Sequence, residues 1–158
     1  MSAPLPAAPR TVAGLSPTVV SLASTHFIVD AYTNIYTPLL PLLIPHFGLS
    51  LAAVGMLAMC FQFSSSVSQL AFGTLADRWR PRVLLMAGPI LAVVVLSFVG
   101  LAPSPVALGA LLVLGGLGGA AFHPPAAAAV YRSAGVNKGF AMSVHITGGS
   151  IGMAMAPL

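Results

Sequence analysis

The sequence predicts an all-α, polytopic membrane protein, and three observations carry that prediction. Only 5% of the residues are charged, where a soluble domain carries roughly 25%. In addition, 58% are hydrophobic, for a mean hydropathy of +0.99. Finally, Asp, Glu, Lys and Arg are absent from Ala31 to Ala76 and again from Val83 to Tyr131, with a charged knot of Asp77, Arg78, Arg80 and Arg82 between the two runs. That knot reads as the water-exposed elbow between two membrane helices. A soluble chain of 158 residues would need a polar surface that this composition cannot supply. The sequence pI is about 10.0 and the net charge +4, but the basic residues are too few and too scattered for a nucleic-acid surface. The single Cys60 lies in an apolar run, which excludes a disulfide framework and a cysteine metal site and makes it a small buried hydrophobe.

The elements follow in order. Residues 1–17, MSAPLPAAPRTVAGLSP, are proline-rich and lack apolar periodicity, so a disordered cytoplasmic tail is expected there. The next apolar run, Thr18 to Ile44, far exceeds the roughly 7–15 residues of a signal-peptide core. Crossing the hydrocarbon takes about 20 helical residues. Breaks at Pro45–Ser50, Asp77–Arg82, Pro103–Pro105 and Arg132–Lys138 leave spans near 18–44, 51–76, 83–102, 106–131 and 139–158. Arg10 falls in the tail, Arg78, Arg80 and Arg82 in the second connection, and Arg132 and Lys138 in the fourth, while the first and third connections hold no Lys or Arg. Positive residues stay in the cytoplasm, so the N-terminus is expected inside and the 45–50 and 103–105 turns outside.

Polar residues within the spans carry the functional information, because each is costly there unless it faces protein or water. At about 100° per residue, His26, Asp30, Thr33 and Thr37 share one face of span one, with Asn34 beside it. Asp30 is the only acidic residue inside a span. A carboxylate in a low-dielectric cavity can take and release protons, and a histidine one turn away can tune it or pass the proton on; a structural carboxylate held by a neighbouring helix is the other reading. In span two Gln62, Ser65, Ser66 and Gln69 form a stripe that either glues helices or lines a cavity. Span three has no polar stripe beyond Ser97 and is expected to face lipid, with a kink at Pro89. Span four contains GGLGGAAFHPPAAAA. Its glycines, Gly116 and Gly119 among them, permit close helix contact. Pro124 and Pro125 remove two backbone donors, and the freed carbonyls need protein or a water-filled cavity to satisfy them. His123 at that break is either hydrogen-bonded packing or part of a substrate or ion pathway. Span five aligns Ala141, His145, Gly149, Gly152 and Ala156 on one face, and Gly148 with Gly152 makes a GxxxG pair. Asp30, His26, Asn34, His123 and His145 are thus the candidate proton-coupling and cavity residues.

Several of these segments resemble a known family. Gly73-x-Leu75-x-Asp77-Arg78, with basic Arg82 beyond, is similar to the loop signature of the major facilitator superfamily. The spacing from Ser143 through Gly152 to Ala156-Pro157 resembles a fifth-helix signature of drug–proton antiporters in that superfamily. His26-Phe27 with Asp30, FQFSSSVSQ at Phe61–Gln69, AFHP at Ala121–Pro124 and Gly148-Gly149 together look like its fosmidomycin resistance group. The resemblance runs from about His26 to Leu158 and implies two six-helix halves moving a small molecule by alternating access. This chain would be an incomplete N-terminal half-bundle of about five helices. It implies a non-enzymatic, proton-coupled efflux carrier in the bacterial inner membrane, with Gly73, Asp77, Arg78 and Arg82 as a conformational loop. Its expected partners are a small-molecule substrate, protons, the bilayer, and missing C-terminal helices or a partner half. Gly116, Gly119, Pro124, Pro125, Gly148, Gly152 and Pro157 are expected to pack or kink helices. With some twelve spans needed, the chain is expected to be a fragment or a truncated product that transports nothing alone. No cofactor and no metal are expected, since no span carries an HxxxH pair. Two alternatives stay open: a non-transporting assembly or regulatory subunit, and a membrane redox protein whose histidines ligate haem or metal from different helices.

Overall fold

In a computed structural model, which describes residues 14–158, the chain is a helical bundle without strands among the described residues. The first thirteen residues of the expected tail, Arg10 included, lie outside the described residues. Its last residues belong to the folded body: Leu15 is buried, Ser16 caps the first helix by accepting from the Val19 N–H, and Pro17 occupies the first turn, where its missing N–H costs nothing.

Helices α1 (Pro17–Asn34) and α2 (Tyr36–Phe47) form one run of 31 residues, interrupted at Ile35. The interruption has a local cause. Pro38 cannot donate to the Asn34 carbonyl, and its ring crowds that carbonyl. Gly48 closes α2 in the left-handed region, at φ 61°, as a C-terminal glycine commonly does. Ser50 and Ser104 then cap α3 (Leu51–Arg78) and α5 (Pro105–Ser133) with their side-chain oxygens. Between these lies α4 (Pro81–Leu96); α6 (Lys138–Met155) completes the bundle. Four helical runs among the described residues, Pro17–Phe47, Leu51–Arg78, Pro81–Leu101 and Pro105–Ser133, are long and apolar enough to cross a membrane.

Helix α5 is the hub. It packs on α3 and α4, and α1 lies across it while pairing along its length with α6. Small residues set these distances. A Cβ on Gly118 would sit 2.5 Å from the Ala92 nitrogen, and one on Gly148 the same distance from the Ala23 carbonyl. At Gly116 and Gly152 it would collide with the Ser64 hydroxyl and the Phe27 carbonyl. The helices touch backbone to backbone, as glycine-lined membrane helices do.

One expectation is corrected here. Span three does not simply face outward: Leu84, Gly88, Ala92 and Leu96 form a buried stripe against α5, leaving Met86, Ile90 and Val94 exposed. In the polar stripe of span two, Ser65 and Gln69 are half-buried. Gln62 and Ser66 are exposed and bond to each other at 2.9 Å, whereas the residue pressed against α5 is Ser64. Helix α5 stays one helix through Pro124 and Pro125.

The apolar core is divided along the bundle. One cluster joins Leu15, Val19, Val130 and Ala141 at the end bearing Arg132 and Lys138. Another joins Leu43, Phe61, Leu96, Val99 and Leu108 at the end of the uncharged turns. Between them, Val29, Phe122 and Ala126 pack together. Asp30 sits at this middle level, about 20 Å along the axis from Pro17 at 1.5 Å per residue.

Candidate functional site

The middle level holds the polar centre of the bundle. One helical turn separates His26 from Asp30, and His26 Nε2 lies 3.2 Å from Asp30 Oδ2. From α5, His123 brings its Nε2 to 3.6 Å from the other carboxylate oxygen. The carboxylate is therefore bracketed by two imidazoles from two helices, its side chain 11% exposed. Behind them, the His26 and His145 rings stack at 4.3 Å between centroids, and His123 meets His26 edge-on at 5.0 Å. Phe122, fully buried, fills the space beside all three rings.

A backbone contact decides the chemistry of His26. Its Nδ1 lies 2.8 Å from the carbonyl oxygen of His145. A carbonyl can only accept, so Nδ1 carries a hydrogen and donates it. The nitrogen facing Asp30 is then Nε2, which holds a lone pair in the neutral ring. An unprotonated nitrogen and an ionised carboxylate oxygen at 3.2 Å would repel each other. The contact is favourable when one proton lies in the pair, as imidazolium with carboxylate or imidazole with carboxylic acid. Room for it comes from Gly149 on α6: a Cβ there would stand 2.5 Å from Asp30 Oδ2 and 2.6 Å from His26 Nε2.

The structure thus gathers His26, Asp30 and His123 into one cluster, with His145 as the stacked wall that supplies the carbonyl. His145 is 2% exposed, and its Nδ1 has no hydrogen-bond partner. Asn34 does not join them. Its amide donates to the Asp30 backbone carbonyl at 2.9 Å, beside the Thr33 hydroxyl at 3.2 Å, so both serve the end of α1 and not the carboxylate. Thr37 is exposed. Phe122 and the clearance at Gly149 were missed as parts of the site by sequence reasoning; the placement of Gly149 on the His145 face of α6 was the one available signal.

At the charged end, Asp77 and Arg78 are the last residues of α3, not members of a loop; the turn is Trp79–Arg80, and Arg82 lies exposed in the first turn of α4. Gly73, Asp77, Pro81, Pro124, Pro125 and Arg132 line one cleft of about 190 Å³. Gly119 faces Thr33 and His123, while Pro157 lies exposed beyond α6.

A family model, that of the Major Facilitator Superfamily, matches residues 22–158. The chain belongs to the Major Facilitator Superfamily. Within that superfamily it is 32% identical over 145 residues to the MFS-type transporter YfnC of Bacillus subtilis (strain 168), a match covering 90% of this chain and 35% of that protein. It is 29% identical over 140 residues to the fosmidomycin resistance protein of Escherichia coli (strain K12), covering 87% of this chain and 34% of the relative. The chain thus spans about a third of the length of these superfamily relatives. No solved structure matches it. Membership and the apolar helices make it a multi-pass membrane protein.

Proposed function

We propose that this chain contributes the proton-coupling bundle of a secondary carrier that exports a small molecule in exchange for protons. The observation that carries the reading is the His26–Asp30 contact, with the His26 tautomer set by the His145 carbonyl. The pair is stable with a proton and repulsive without one. Because its members are tied to α1, α5 and α6, gain or loss of that proton bears on how three helices pack, which is the element alternating access requires. His123, the most exposed of the three side chains at 23%, is the route by which the proton reaches Asp30. The name of the Escherichia coli relative supports an antibiotic-like cargo. The six-to-none distribution of Lys and Arg between alternate connections supports an N-terminus inside the bacterial inner membrane.

The test is efflux from vesicles holding the protein expressed from its complete gene, with fosmidomycin as probe and an imposed proton gradient. Asp30→Asn keeps the size of the side chain but cannot cycle a proton. Gradient-driven efflux should fall at least about tenfold, a barrier change of about 1.4 kcal/mol, with expression unchanged. Wild-type efflux by Asp30→Asn would refute the role.

A further inference from the structure

The donor set around Asp30 suits a second occupant besides a proton. We propose that His26 Nε2, the Asp30 carboxylate and His123 Nε2 form a binding site for one borderline divalent transition-metal ion, of the Zn²⁺ or Co²⁺ class. The three donors lie within 4.8 Å of one another, with the carboxylate between the two nitrogens. Around a tetrahedral ion with bonds of about 2.0–2.1 Å, neighbouring ligand atoms stand about 3.3 Å apart. The 3.2 Å from His26 Nε2 to Asp30 Oδ2 matches that value; His123 Nε2 approaches the other carboxylate oxygen, at 3.6 Å, so side-chain rotation would bring it in to complete the set on an ion.

Three further features point the same way. First, His26 already has the tautomer a ligand needs. Its Nδ1–H is spent on the His145 carbonyl at 2.8 Å, which leaves the Nε2 lone pair aimed at the cluster; metal-bound histidines are oriented by this kind of outer hydrogen bond. Second, the ring cannot easily turn away, because His145 stacks on it and Phe122 fills its flank. Third, the space a metal would need is kept open by Gly149. The position of its absent Cβ is 2.5 Å from Asp30 Oδ2 and 2.6 Å from His26 Nε2, with no other side chain as near. Two imidazoles and one carboxylate select for Zn²⁺, Co²⁺ or Ni²⁺ over Mg²⁺ and Ca²⁺, which favour oxygen donors. Binding would release the proton held by the pair, so metal and proton exclude each other at this site. Within-helix spacing argued against a metal and left open only histidines meeting from different helices; His123, arriving from α5, meets His26 in that way, with Asp30 as the third donor.

The inference stands on the donor set and not on transport. Were Asp30→Asn to pump normally, the proton reading would fall and this one would remain. Co²⁺ gives the direct readout, since its visible ligand-field bands report nitrogen and oxygen ligation. The protein from its complete gene, purified without a histidine tag, should develop such bands, saturating at one Co²⁺ per chain. Zn²⁺ should bleach them and excess Mg²⁺ should not. His46→Gln, remote from the cluster on α2, should leave the titration unchanged. His123→Gln and Asp30→Asn should abolish the saturable bands, and Gly149→Ala should do so with every ligand still present. Absence of saturable bands in the wild type, or their survival in His123→Gln or Asp30→Asn, would overturn the proposal.

Discussion

An acidic side chain in the middle of an apolar helix is expensive unless a partner meets it, and Asp30 has two, His26 in its own helix and His123 across from it. The arrangement is tight on the third side as well. Gly149 has no side chain, and adding one methyl group there would press on Asp30 Oδ2 and His26 Nε2 together. Neither atom can yield freely, since His26 is tethered to the His145 carbonyl. Gly149→Ala is therefore expected to separate the pair without altering any titratable group. Efflux should drop at least about tenfold while the purified protein stays monodisperse. Wild-type efflux from that variant would show that the His26–Asp30 contact is dispensable. The pairing of His26 with Asp30 was legible in the sequence, because residues four apart share a helix face. The part played by Gly149 was not, because spacing says which face a glycine occupies and nothing about the atom opposite.

At the scale of elements, α5 is held by buried side chains such as Leu108, Phe122 and Val130 and by backbone contact at its glycines. Gly118 lies so close to α4 that a Cβ would stand 2.5 Å from the Ala92 nitrogen and 2.8 Å from the Gly88 oxygen. Backbone cannot rotate aside, so Gly118→Ala should cost about 1–3 kcal/mol and lower the melting temperature in detergent. Gly55, midway along α3's first half, has nothing within 4 Å of the same position. Gly55→Ala should be neutral or stabilising by up to about 1 kcal/mol, since alanine is the better helix former. Equal melting temperatures for the two variants would contradict this packing. Asp77 poses a different problem. It lies in the last turn of α3, where the helix dipole opposes a negative charge, and among the described residues the ion pairs involve Asp30 alone. Its cleft with Arg132, Pro124 and Pro125 and its match to the superfamily signature suit a residue that pairs in one state of a transport cycle. Asp77→Ala should slow efflux while leaving the melting temperature unchanged or a little higher. A lower melting temperature with normal efflux would mark it as structural.

Over the whole molecule, two apolar clusters separate the charged connections from the uncharged ones. Leu15, Val130 and Ala141 meet near Arg132 and Lys138, and Leu43, Val99 and Leu108 meet near the other turns. If basic residues remain in the cytoplasm, Leu51→Cys should react with an impermeant thiol reagent from outside intact cells, in a Cys60→Ala background, and Val136→Cys should not. Both positions are open, 85% and 97% exposed, so a difference would report sidedness and not burial. The reverse pattern would invert the proposed orientation.

The membrane class, the all-α fold and the four long apolar helical runs were determined by the sequence by itself. These follow from composition and from 3.6-residue periodicity, which act along a single helix. Tertiary structure alone decided the rest. Only it showed that span three buries a face on α5, that Ser64 meets that helix while Gln62 and Ser66 bond to each other, and that Asn34 turns to its own backbone. Above all, it brought His123 and the His145 carbonyl, from two other helices, to a carboxylate and an imidazole that the sequence had already paired. The reason is physical: in a bundle of glycine-lined helices, the rotation and depth of each helix are set by which backbones can approach, and that depends on both partners at once.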